Sequence, residues 1–183
     1  MMKVFIAGPR AISALNTDVQ ERLNNIYRNN YTVLVGDAYG VDKAVQTHFN
    51  NLAFSNVIVY ACGGKARNNV GGWEIQNIDV PAHKRGFDYY AAKDKAMSDD
   101  ADYGFMIWNG ESKGTLNNII NLLKADKKSI VYLTKTESFH SIDNADDIQE
   151  LIAMCGQETH SLFLKLYNAP TPSSFQQISF FNS

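Results

Sequence analysis

The run Thr32-Val33-Leu34-Val35-Gly36-Asp37-Ala38-Tyr39-Gly40-Val41-Asp42-Lys43-Ala44-Val45 decides the fold. Thr32 to Val35 favour a strand and stop at a glycine-bounded turn, after which apolar residues recur with helical period. The helix starts near Val41, runs to about Ala53 and buries Ala44, Val45 and Phe49. Toward the N-terminus, Val4 to Ala7 reads as a buried strand ending at Gly8-Pro9-Arg10. Asn16 or Thr17 then caps a helix reaching about Asn29, with Val19, Leu23, Ile26 and Tyr27 on one face. Asn56 to Tyr60 is a third strand. The order β-α-β-α-β predicts an α/β protein with a mainly parallel central sheet covered by helices on both faces, three layers in all.

Further along, Cys62 to Arg85 breaks the rhythm with Gly63-Gly64, Gly71-Gly72 and Pro81. It reads as a long loop, and compact domains seldom keep one without a use, so 61–86 is an insertion and a candidate lid. A helix resumes from Phe87 to Ser98, and Tyr103 to Trp108 is a fourth strand. A helix from about Thr115 to Lys124 and a strand from Ser129 to Leu133 follow. Asp143-Asn144-Ala145-Asp146-Asp147 leads into a last helix ending near Cys155. Residues 1–167 are expected to form one domain and 168–183 a C-terminal extension. Phe180-Phe181 in that extension offers a contact for a second subunit, so a homodimer or higher homo-oligomer is expected.

Composition excludes several classes. The chain has 183 residues with 17 basic and 19 acidic side chains, a net charge of −2. Non-specific nucleic-acid binding draws on an excess of positive charge, so nucleic acid is expected to be an unlikely partner. Cys62 and Cys155 stand far apart with no CxxC, as reduced thiols of a cytoplasmic protein do. His48, His83, His140 and His160 are scattered, so neither a metal site nor a cofactor is expected. No apolar run approaches the ~18 residues that cross a bilayer, and no membrane partner is expected.

In an open parallel sheet, ligands bind at the carboxyl ends of the strands. Three glycine-containing loops fall there: Gly8-Pro9-Arg10, Gly36 to Asp42, and Gly110-Glu111-Ser112-Lys113-Gly114-Thr115. Glycine permits close backbone approach, and a helix N-terminus presents free N–H groups to an anion. Together the loops point to a phosphate-containing ligand. The pattern matches neither the dinucleotide G-x-G-x-x-G fingerprint nor the Walker A motif, since Lys113 precedes Gly114.

These loops, with Lys93-Asp94-x-x-Met97 and Ala101-Asp102-Tyr103-Gly104-Phe105-Met106-Ile107-Trp108-Asn109-Gly110-x-Ser112-x-Gly114-Thr115, resemble the SLOG superfamily. That group includes the LOG phosphoribohydrolases, DprA, YpsA and nucleotide-sensing modules of anti-phage effectors. The resemblance spans about Lys3 to Leu133 and implies a Rossmann-like fold that binds a nucleotide or nucleotide-derived molecule. An NAD-derived signal resembling cyclic ADP-ribose is one such ligand, and sensing or sequestration is the implied role. The alternative is N-glycosidic hydrolysis of nucleoside 5′-monophosphates, as in LOG enzymes. Their loop reads P-G-G-x-G-T-x-x-E, whereas this chain has Asn118 at the glutamate position. Asparagine accepts and donates hydrogen bonds but cannot serve as a carboxylate base.

The expected ligand-binding residues include Gly8, Pro9, Arg10, Asn109, Gly110, Ser112, Lys113, Gly114 and Thr115, with phosphate on Arg10 and Gly110 to Thr115 and Lys93 as a second cation by resemblance. Gly36, Asp37, Ala38 and Asp42 belong to the second loop, with Asp37 and Asn118 toward a ribose. Tyr39 and Trp108 are candidates for stacking on a base. If the protein is an enzyme, Glu111, Asp37 and Asp94 are its candidate catalytic carboxylates.

Overall fold

A computed structural model describes residues 1–170. Seven strands and six helices follow one another along them. β1 (Lys3–Ala7), α1 (Thr17–Arg28), β2 (Thr32–Gly36), α2 (Val41–Asn51) and β3 (Val57–Cys62) form the expected first half. β4 (Glu74–Ile78), α3 (Gly86–Asp100), β5 (Tyr103–Trp108), α4 (Lys113–Lys124) and β6 (Ser129–Leu133) come next. β7 (Ser138–Ile142), α5 (Ala145–Ala153) and α6 (Gln157–Tyr167) complete them.

The strands make one sheet in the order β4-β3-β2-β1-β5-β6-β7. All neighbours are parallel except β6 and β7. Because side chains alternate across a strand, each strand feeds two layers. Val4, Ile6, Val33 and Val35 pack against α1 and α2 through Val19, Leu23, Val45 and Phe49. Phe5, Leu34, Met106 and Trp108 face the other way, onto Met97, Leu116, Ile120, Ile148 and Phe163 of α3 to α6. This is a three-layer, Rossmann-like α/β architecture.

Local chemistry sets the helix ends. The Asn16 side chain accepts a hydrogen bond from the Val19 N–H at 3.0 Å and starts α1. In α4 the cap is Ser112, so the helix begins at Lys113, two residues before its expected start. That shift puts Gly114 and Thr115 in the first turn.

The structure departs from the sequence reading in three places. Within 61–86, Glu74–Ile78 is a parallel edge strand on β3, not loop. The crossover leading to it lies on the α2 layer: Gln46 donates to the carbonyls of Gly36 and Asn68 and accepts from the Val70 N–H, while Trp73 Nε1 donates to Phe54 O. Ser138–Ile142 is an antiparallel edge strand that the polar sequence concealed. The helix after Asp143 ends at Ala153, and a further helix, Gln157–Tyr167, follows. The expected contact through Phe180-Phe181 lies outside the described residues. No helix among the described residues is long and apolar enough to cross a membrane.

Candidate functional site

From β1 the chain builds the sheet in one direction through β2, β3 and β4, then α3 carries it back to β5 on the other side of β1. The carboxyl ends of β1 and β5 therefore part around a crevice, the topological switch point where open α/β sheets bind ligands. A cleft of about 660 Å³ opens there. Gly8, Pro9 and Arg10 form one wall; Asn109, Ser112, Gly114 and Thr115 form a second at the start of α4. Gly86, Phe87, Tyr90 and Met97 of α3 form a third, and Asp42, Lys93, Asp94 and Asn118 lie at the floor.

Asn109 shapes the α4 entry: its Oδ1 accepts from the N–H groups of Glu111 (3.1 Å) and Ser112 (2.9 Å). Ser112 Oγ accepts from the Thr115 hydroxyl at 3.2 Å. The N-termini of both α3 and α4 thus border the cleft, each contributing the positive end of a helix dipole. Arg10 and Arg67 bracket Tyr90, their guanidinium carbons 5.0 and 4.6 Å from its ring centroid. Lys113 Nζ stands 3.8 Å from the Phe87 ring centroid.

The floor is a charged cluster. Lys93 Nζ lies 3.4 Å from Asp37 Oδ1 and 3.6 Å from Asp94 Oδ1, with only 4% of its side chain exposed. Asp37 is held by Arg67 through a fork, Nη2 to Oδ1 at 2.7 Å and Nε to Oδ2 at 3.1 Å, and it also accepts the Arg67 backbone N–H at 3.0 Å. Although burial opposes its charge, these bonds and Lys93 hold the Asp37 carboxyl down to about 2. Asp42, 6% exposed, has only the Ala38 N–H at 3.1 Å as a hydrogen-bond donor; burial pushes it up to about 6 against the pull of Lys93. Burial also raises Asp94, opposed by Lys93 and by the neighbouring Asn118 side chain. Neighbouring Asp94, Asp42 and Asp37 together outweigh burial and keep Lys93 above its ordinary value, hence protonated. Gly36 makes room for this cluster, since a Cβ there would collide with the Asp42 carboxylate and stand 2.6 Å from Lys93 Nζ.

One polar atom at the floor has no partner. Asn118 is 3% exposed, and its Oδ1 accepts no hydrogen bond. A buried unpaired carbonyl costs about 1–3 kcal/mol, and a ligand donor would relieve it.

Of the expected site residues, Gly8, Pro9, Arg10, Ala38, Asp42, Lys93, Asn109, Ser112, Gly114, Thr115 and Asn118 line this cleft. Gly36 and Asp37 lie behind the floor, and Gly110 sits behind the α4 loop, where its carbonyl accepts the Thr159 hydroxyl at 2.6 Å. Tyr39 points into a neighbouring groove. The reading of Trp108 as a stacking platform is corrected: the ring is 0% exposed in the core, and its Nε1 donates to Ser112 O at 3.1 Å, holding the α4 entry in place. Among the candidate carboxylates, Glu111 reaches outward to Lys135 at 2.5 Å and Asp37 is locked to Arg67. Asp94 and Glu111 both line the cleft, Asp94 with 20% of its side chain exposed. Sequence reasoning missed Arg67, Phe87 and Tyr90. Arg67 lay in the segment suspected as a lid, and only the folded chain brings it to Asp37. Among the described residues no group of three or more His, Cys, Asp or Glu is placed to hold a metal ion.

No family model matches the chain, and no curated protein matches it. Among solved structures it is similar to DNA processing protein A from Helicobacter pylori, a single-stranded-DNA-binding protein. The TM-score is 0.57 at 14% identity, over 90% of this chain and 80% of that one. The expectation that nucleic acid is an unlikely partner is corrected by this finding, because a protein of the same architecture binds single-stranded DNA. Overall charge reports on non-specific affinity, whereas a local cleft recognises its ligand by a few placed groups. The likeness is one of fold: this chain has the Rossmann-like architecture found in DNA processing protein A.

Proposed function

We propose that the β1/β5 cleft binds a nucleotide, or a nucleotide-derived signal such as an NAD-derived cyclic molecule, and that the protein senses or sequesters it. The observation that carries this reading is the pairing of an anion-attracting rim with an unpartnered acceptor below it. Arg10 and the first turn of α4 line the rim, and the unpaired Asn118 Oδ1 lies one helical turn below Thr115. A phosphate fits the rim by charge and N–H donors, and a sugar hydroxyl donates to Asn118. Phe87 and Tyr90 offer apolar faces for the base.

The test is incubation with nucleoside monophosphates, NAD-derived cyclic nucleotides and a short single-stranded oligonucleotide, with chromatography before and after heating. Ligand that leaves solution and returns intact on denaturation supports a binder. The absence of depletion for every member of the panel overturns the reading.

Hydrolysis of an N-glycosidic bond is a second reading, favoured by the Asp94 carboxylate in the cleft lining. It lines the cleft together with Asn118, and burial raises its proton affinity above the ordinary carboxylate range, in the direction general acid–base work needs. Free base accumulating with turnover, and lost in Asp94→Asn, supports hydrolysis. Base release that survives Asp94→Asn excludes Asp94 from it.

A further inference from the structure

A second groove, of about 630 Å³, adjoins the cleft and shares Arg10 with it. Ser13, Gln20, Tyr39, Lys43 and His48 line it, and none of its lining residues is acidic. The ridge between the two is tightly built. Val41 N–H donates to Pro9 O at 3.3 Å, and Gly40, at φ +78°, leaves space that a Cβ would take from the Arg10 backbone. The ridge ends in Tyr39, which is 60% exposed, with Lys43 Nζ 5.6 Å from its ring centroid. His48 bonds Asn24 at 3.0 Å, and burial disfavours its charge, so the positive charge of the groove is Arg10 and Lys43. Neither makes an ion pair among the described residues.

An exposed tyrosine ring with an unpaired lysine over one face, joined to a first nucleotide cleft by an arginine common to both, matches how successive bases and their linking phosphates are held. We infer that the Tyr39–Lys43 groove is a second nucleotide subsite. It takes the next base and linking phosphate of a ligand whose first unit occupies the β1/β5 cleft. Arg10 meets the linking phosphate, Tyr39 stacks on the second base, and Lys43 adds charge beside it. The ligand class is two or more nucleotide units joined through phosphate. This inference rests on the nucleotide reading of the first cleft.

Calorimetric titrations with AMP, 5′-phosphorylated ApA and NAD+ at two salt concentrations test it. At least tenfold tighter binding is expected for a two-unit ligand than for AMP, with a steeper salt dependence. Tyr39→Ala and Lys43→Ala are expected to erase that gain and leave AMP affinity within twofold. A gain for ApA alone identifies a phosphodiester link, and a gain for NAD+ alone a pyrophosphate. Equal affinity for one and two units, or equal losses on both in Tyr39→Ala, overturns the subsite but leaves the first cleft standing. Failure of all three ligands to bind overturns the subsite, and the nucleotide reading of the first cleft falls with it only if the cyclic nucleotides of its own panel also fail to bind.

Discussion

Lys93 has the only buried ammonium group in the cleft floor, and its three carboxylate neighbours do different work. Asp37 is ionised at any ordinary pH, so its contribution to stability is present above about 4 and lost only as pH falls through about 2. Asp42 has the opposite sign. Its folded value of about 6 stands above the unfolded 3.8, so the native state holds a proton that the unfolded chain releases. Stability from Asp42 is therefore greatest below about pH 4 and is lost as pH rises through 6; Asp94 shifts in the same direction. Urea unfolding of Asp42→Asn across pH 4–7 is expected to show a flatter decline than the wild type. Parallel pH dependences in the two proteins would refute this assignment. Arg67→Met removes the fork on Asp37 and is expected to cost about 2 kcal/mol, the scale of lost charge-assisted hydrogen bonds, measurable by the same unfolding. The glycine loops and Arg10 were legible as residues because loop chemistry is local, whereas Lys93 and Asn118, inside helices, were singled out only by the family resemblance. Arg67 was not legible, since its partner lies thirty positions away.

Among the elements, the central strands were readable because both of their faces are buried. β1, β2, β5 and β6 are short apolar runs bounded by turns, and they pair on both sides. The edge strands were not. Glu-Ile-Gln-Asn-Ile and Ser-Phe-His-Ser-Ile carry little apolar signal, and their pairing with β3 and β6 makes them strands. β4 is exposed over most of its length and paired on one side only. Its amides are expected to exchange with deuterium well ahead of those of β1 and β5, and uniform protection would contradict that. The α5 cap offers a clean helix test. Asn144 accepts the N–H groups of Asp146 and Asp147, and Asp147 returns a bond to the Asn144 N–H. Asn144→Ala is expected to cost about 1 kcal/mol by thermal unfolding while leaving nucleotide binding unchanged.

At the scale of the whole molecule, the alternating strands bind both helical layers to one sheet. Leu34 is 0% exposed in the layer of α3 to α6, and its neighbours Val33 and Val35 are equally buried in the layer of α1 and α2. Leu34→Ala is expected to cost about 3 kcal/mol through lost burial and a residual cavity, and calorimetry should show one shifted transition. Two separated transitions would mean that the layers unfold independently.

The order of the central strands and the helices between them, the parallel central sheet and the carboxyl-edge loops were set by the sequence alone, because periodicity and turn chemistry act over a few residues. Tertiary structure alone decided that Trp108 is core, that Tyr39 faces a separate groove, and that Asp94 lines the cleft while Glu111 pairs with Lys135 and Asp37 with Arg67. Those outcomes depend on which way a side chain leaves its strand or turn, and on partners such as Arg67 and Lys135 that arrive from distant parts of the chain.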